Sequence, residues 1–248
     1  MNILVCISRV PDTTSKINIK SDSKSIETQG IKYIVNPYDE FAIEEALRIR
    51  TKLGGKITVL TIGTEASKDV LRTALALSID RAVLIKSDAD LDSSAIAKNI
   101  ADFAKTENFD LILAGKQSID YSSGAVPAMS AALLNYPIIT IVTKLDIDGQ
   151  TINVEREVES GAEVISCSLP CVITAQKGLN EPRYPKLPDI MKAKSKPIEE
   201  IACKYSDNTI EVLSIDTVQK SRIGKIFGNS SEEIAELVNL LKNEAKVI

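Results

Sequence analysis

Residues 110–128 read DLILAGKQSIDYSSGAVPA. An apolar run, Leu111 to Ala114, ends at Gly115, small and polar residues follow, and a helix-compatible stretch opens between Gly124 and Pro127. That is the outline of a buried strand feeding a helix through a polar loop. The same unit repeats on both sides: "ILVCI", a helix from about Pro37 to Leu53, "ITVLTI", a helix near Lys68–Ser78, "AVLIK", a helix near Ser94–Lys105, then "DLILAG", a helix near Ala125–Leu134, and "IITIVT". Alternating strands and helices predict an α/β fold with a doubly wound, mostly parallel sheet. Ligands in such sheets bind beyond the carboxyl ends of the strands, so the loops after "LVCI", "TVLTI" and "LILAG" are where a site belongs.

The first helix is expected to start at Pro37, with Asn36 capping free amides and Asp39 and Glu40 at the positive end of the helix dipole. Ala42, Ile43, Ala46, Leu47 and Leu53 are expected to face the sheet. In the loop of residues 115–126, backbone N–H groups ahead of a helix suit a phosphate, although an ordinary strand-to-helix loop has the same pattern. After Thr143 the periodicity becomes alternating. "KLDIDGQTINVEREV" carries an Asp148-Gly149 turn, and "EVISCS" and "CVITA" follow as strands, an antiparallel addition to the core. Residues 178–197, "GLNEPRYPKLPDIMKAKSKP", hold four prolines that forbid regular structure across most of the segment. Their apolar neighbours Leu179, Tyr184, Leu187, Ile190 and Met191 call for cover. In "SSEEIAELVNLLKNEAKVI", Ser230 with Glu233 forms a capping box, and Ile234, Leu237, Val238 and Leu241 share one face. The expected division is a nucleotide-binding α/β domain over residues 1–190 and a C-terminal arm with its helix over 191–248.

Composition narrows the functions. With 248 residues, 44% hydrophobic and 26% charged, the chain has enough apolar residues for a full core. A net charge of −4 gives no general attraction to nucleic acid, despite Lys192, Lys194 and Lys196. No window approaches the ~20 apolar residues a membrane span needs, and "NILVCISRV" lacks a signal peptide's basic start, so a cytoplasmic protein is expected. Cys6, Cys167, Cys171 and Cys203 are scattered as buried apolar thiols would be. Histidine is absent, which removes Ser-His-Asp and Cys-His catalysis and the usual zinc sites. No G-x-G-x-x-G, Walker-type G-x-x-x-x-G-K-[ST] or S-G-G-x-D-S loop is present. What remains is nucleotide binding without an evident hydrolytic apparatus.

The stretches "NPYDEFAIEEALRI", "DLILAGKQSID", "KLDIDGQTINVEREVESG" and above all "LNEPRYPKLPDIMKAK" resemble the beta subunits of electron transfer flavoproteins, and the resemblance covers essentially the whole chain. It implies an adenine-nucleotide alpha-hydrolase-like fold and pairing with an alpha subunit that holds most of the contacts to FAD. The heterodimer would pass electrons singly from acyl-CoA and related dehydrogenases toward a membrane quinone oxidoreductase. In the housekeeping type the beta subunit buries a structural AMP and has no catalytic residues of its own. Carried over by position, the AMP site would use Cys6; Asn36, Pro37, Tyr38 and Asp39; Ile62 and Gly63; and Gly115, Lys116, Gln117, Ser118, Ile119, Asp120, Tyr121, Ser122, Ser123, Gly124, Ala125 and Val126. At Gly124–Val126 many relatives place polar side chains, so backbone amides are the expected phosphate ligands here.

A bifurcating branch of the family binds a second FAD where AMP would sit, and its loop commonly reads G-D-T after "SID". Here Asp120 is followed by Tyr121, Ser122 and Ser123, which favours the AMP type. By family position the segment around Leu187, with Tyr184, Ile190 and Met191, is a recognition loop for partner dehydrogenases; without the resemblance it reads as a buried connector. Glu157 would lie near the flavin and pair with an arginine of the alpha subunit, while the local sequence alone reads as a solvated strand carboxylate. The alternative from a different class is a free-standing ATP-binding protein of the same fold.

Overall fold

The computed structural model describes residues 1–217 and 224–248. Its elements are β1 (Asn2–Cys6), β2 (Arg9–Pro11), β3 (Tyr33–Val35), α1 (Pro37–Leu53), β4 (Lys56–Gly63), α2 (Lys68–Ala76), β5 (Arg81–Lys86), α3 (Ser93–Thr106), β6 (Leu111–Gly115), α4 (Ala125–Leu134), β7 (Ile138–Asp148), β8 (Thr151–Val158), β9 (Gly161–Ser168), β10 (Cys171–Ala175), α5 (Leu187–Ala193), β11 (Glu199–Ala202) and α6 (Ser231–Asn239). Nine strands form one sheet in the order β11-β5-β4-β1-β6-β10-β7-β8-β9. Only the β7–β8 and β8–β9 pairs in it are antiparallel.

Strand alternation builds the two layers. Ile3 and Val5 join Ala42, Ile43 and Leu47 of α1 and Val70, Leu71 and Leu75 of α2 in one apolar cluster. Leu4 points the other way, into a cluster with Ile100, Phe103 and Ala104 of α3 and Ala131 and Leu134 of α4. Helices therefore cover both faces, as a doubly wound sheet requires. Each fully buried Ile or Leu contributes on the order of 1.5–3 kcal/mol. From β1 the chain proceeds to β4 and β5 on one side, then crosses back to β6 on the other, so the direction of winding reverses between β1 and β6. The β7–β8 turn closes with Asp148 opposite Thr151 and Gly149 at φ 58°, a backbone glycine adopts without strain.

Four details differ from the sequence expectation. "CVITA", read with the antiparallel addition, instead slots in parallel between β6 and β7; a short apolar run buried on both faces carries no mark of its direction. Residues 199–202 form a parallel edge strand beside β5, although their two glutamates disguise it as a polar connector. Leu53, expected against the sheet, is 44% exposed because it closes the last turn of α1. Within the proline-rich segment, Leu187–Ala193 forms a short helix with Pro188 in its first turn, where a missing N–H is tolerated. The Ser230–Glu233 capping box forms as expected, and α6 buries none of its residues.

Candidate functional site

The winding reversal between β1 and β6 is built around the first turn of α1. Pro37 occupies the first turn, but Asn36 does not cap the helix with its side chain. Its Nδ2 donates to the Gln117 carbonyl at 2.9 Å, and its Oδ1 accepts from the Ile119 amide at 3.2 Å. The expected cap is thus replaced by a tie to the loop after β6, whose backbone groups would otherwise lack partners. Asp39, 4% exposed, makes the second tie. One carboxyl oxygen accepts from the Gly115 amide at 2.8 Å and the other from the Ser8 amide at 2.7 Å. The ends of β1 and β6 are therefore pinned to the same helical turn.

Gly115 is required by closeness. A Cβ there would lie 2.4 Å from Asp39 Oδ1 and 2.7 Å from Tyr38 Cβ. Burial pushes the Asp39 carboxyl up to about 7, against the Ser8 and Gly115 amides, which favour its charged form. Burial, with the Asp39 charge adding to it, pushes the neighbouring Cys6 thiol up to about 12. Cys6 is a neutral, inert group at physiological pH.

The loop itself presents main-chain donors. Ser122 and Gly124 both adopt left-handed backbone, at φ 55° and 61°, and Gly124 is the N-cap of α4 with no side chain capping the helix. The Ser123 hydroxyl stands 3.5 Å from the Ala125 amide, at the limit of a contact. The amides of Ala125 and Val126 are thus available at the positive end of α4. Ser118 accepts the Ser122 amide through its carbonyl, Asp120 accepts the Tyr121 amide through its side chain, and Lys116 places its ammonium 4.8 Å from the Tyr38 ring centre. Cys6, Ile62 and Val126 all pack, half-buried, on the cluster beneath α3 and α4, and Gly63 ends β4 with its carbonyl accepting the Ser87 amide. The carboxyl ends of β1, β4 and β6 lie side by side in the sheet.

Sequence reasoning missed several groups at this end of the sheet. Ser8 contributes only an amide, which no motif announces. Asp92 caps α3 through Ala95 and also accepts from Thr209 and Ile210, drawing residues 208–210 across the carboxyl edge of the sheet. Its place before "SSAIAKNI" is a recognisable cap; the tail's arrival is not legible. The Tyr121 hydroxyl stands 3.5 Å from Asp90 on the same side.

Glu157 is exposed near the end of β8, with Gln176 Nε2 at 3.4 Å from its carboxylate. No contact joins it to the cleft loops among the described residues. In the proline-rich segment, Leu179 and Ala193 are buried while Tyr184 is 92%, Leu187 73% and Met191 59% exposed, with Ile190 also on the surface. The ends are anchored and the middle projects, the opposite of a buried connector. Among the described residues, no group of three or more Cys, Asp and Glu side chains could hold a metal ion, and no helix is long and apolar enough to cross a membrane.

These features define a doubly wound α/β protein with a polar loop tied across its switch point and an exposed apolar segment away from it. The electron transfer flavoprotein domain model matches residues 24–204, and the chain belongs to the electron transfer flavoprotein beta-subunit family. It is 45% identical to the electron transfer flavoprotein subunit beta of Bacillus subtilis over 259 aligned positions covering both chains fully. It is 39% identical to the subunit beta of Bradyrhizobium diazoefficiens and 40% to the mitochondrial subunit beta of Oryza sativa subsp. japonica, again over the full length of each.

Proposed function

We propose that this chain is the beta half of an electron-carrying flavoprotein heterodimer and holds an AMP as a structural ligand in the switch-point cleft. The carrying observation is the double tie of Asn36 and Asp39 onto the loop after β6. It fixes the start of that loop to the first turn of α1, and the loop runs on to the N-terminus of α4, where Gly124 offers no side-chain cap. The fit to a nucleotide is chemical. Main-chain donors at Gly124, Ala125 and Val126 suit a phosphate, and half-buried Cys6 and Ile62 offer apolar surface to a base.

An alpha subunit would supply most of the contacts to FAD, the group that provides one-electron chemistry when bound. In this reading Glu157 orients an arginine of that subunit near the flavin, and the last part of the 191–248 arm, with exposed α6, packs on it. Acyl-CoA and related dehydrogenases dock at Leu187 with Tyr184, Ile190 and Met191, and a quinone oxidoreductase is the acceptor. Denaturing the purified native complex and identifying what it releases tests the proposal: one AMP and one FAD per heterodimer are expected. Two FAD would move the chain to the bifurcating branch. A colourless protein that hydrolyses ATP without a partner would replace the proposal with a free-standing ATP-binding function.

A further inference from the structure

The projecting segment is strapped to the body at both ends by charged side chains from the two helices beneath it. At its start, Arg183 forks onto Glu44 of α1, Nε to Oε2 and Nη2 to Oε1 both at 2.7 Å, and the Arg183 amide approaches the same carboxylate at 3.3 Å. Glu44 is buried. Asn180 donates to the Phe41 carbonyl and Glu45, and Arg48 to the Leu179 carbonyl. At its end, Arg72 of α2 donates to the carbonyls of Ala193 and Lys196, and the Lys196 ammonium reaches the Leu75 and Ile79 carbonyls.

A buried carboxylate is destabilising unless its oxygens are matched, and a bidentate guanidinium plus a backbone amide match both. The fork thereby fixes the backbone at residue 183, directly before Tyr184. Pro182, Pro185 and Pro188 restrict φ on either side of it. A surface segment held this way loses little conformational freedom when an apolar partner surface closes on Leu187.

We infer that Arg183, through its fork on Glu44, is a positioning residue for electron transfer, presetting the Leu187 segment for the pocket of an electron-donating partner. The inference rests on the docking role proposed above for that segment. In the purified heterodimer, Arg183→Ala raises the half-saturating carrier concentration in a dehydrogenase-coupled assay by roughly three- to tenfold, the effect of re-ordering one or two side chains on binding. The plateau rate and the flavin and nucleotide contents stay the same. Arg183→Lys restores only part of the loss, because an ammonium cannot form the fork. Trypsin cleaves after Lys186 faster in the variant.

Glu44→Gln, which keeps the shape of the site, serves as the second probe and shows the same shift in half-saturation. If Leu187→Ala raises half-saturation while Arg183→Ala and Glu44→Gln leave it within about twofold, the positioning role is overturned and docking stands. If Leu187→Ala changes nothing, the docking role itself fails. Loss of flavin from both fork variants would assign Arg183 and Glu44 to folding and overturn the inference.

Discussion

Asp39→Asn isolates the electrostatics of the cleft. The wild-type carboxyl is raised from 3.8 to about 7, chiefly by burial. For a raised acid, the folded state keeps a proton that the unfolded state releases, so stability falls as pH rises from about 4 to about 7. At ~1.36 kcal/mol per pH unit, that window holds about 4 kcal/mol. Asparagine keeps the shape and cannot ionise. Its amide nitrogen, however, must face one of the two amides that the carboxylate oxygens now accept, a loss of about 1–3 kcal/mol. The variant is therefore less stable near pH 4.5 and equal or superior near pH 8. The assay is the Tm of the heterodimer at fixed concentration across that range, where the ~3 kcal/mol of this effect that falls between pH 4.5 and pH 8 moves the difference in Tm by roughly 6–12 °C. Parallel wild-type and variant curves would refute the reasoning, because Asp39 would then hold the same charge folded and unfolded.

Gly115→Ala forces a methyl to 2.4 Å from Asp39 Oδ1; a loss of about 1–3 kcal/mol from overpacking should lower Tm and bound nucleotide together, as read by thermal shift and chromatography of the released ligand. Asp92→Ala should cost about 1 kcal/mol as a lost cap and free residues 208–210, seen as faster hydrogen exchange at Thr209, Ile210 and Ala95. In the wild type the same contacts hold the Asp92 carboxyl down at about 2. A depressed acid stabilises above its ordinary value of 3.8, so exchange at these amides should quicken as pH falls toward 2, after correction for intrinsic rates. Expressed without a partner chain, the protein should self-associate through the exposed α6 face of Ile234, Leu237 and Val238; light scattering showing a monodisperse monomer would count against an obligate heterodimer.

The parallel layers were legible because their signals are local: α1 and α4 run over the residues that the apolar spacing picks out, from Pro37 to Leu53 and from Ala125 to Leu134. The strand ends where a ligand is expected were legible too, since β1, β4 and β6 stop at Cys6, Gly63 and Gly115. What escaped was long-range. Whether Asn36 caps its own helix or reaches 81 residues on to Gln117 depends on where β6 lies, and no spacing encodes that. β11 escaped because an edge strand needs only one apolar side, which Ile201 supplies after two glutamates. Ile141 adopts φ 60° beside β10, its amide held by the Thr174 hydroxyl; a β-branched residue advertises extended backbone and gives no warning of such a bulge.

The position of β10 sets an order of assembly. As the chain leaves the ribosome, β1, β4, β5 and β6 can pair with one another, and β7, β8 and β9 form a local meander over residues 138–168. The two groups share no hydrogen-bonded edge until Cys171–Ala175 emerges and fills the gap between β6 and β7. Until then the facing edges of β6 and β7 stand open, as does the outer edge of β5 until β11 follows, the form in which nascent sheets are most exposed to wrong pairing. The five residues of β10 therefore act as a keystone, and a ribosomal pause just before they emerge would prolong the interval in which the half-built sheet exposes those edges.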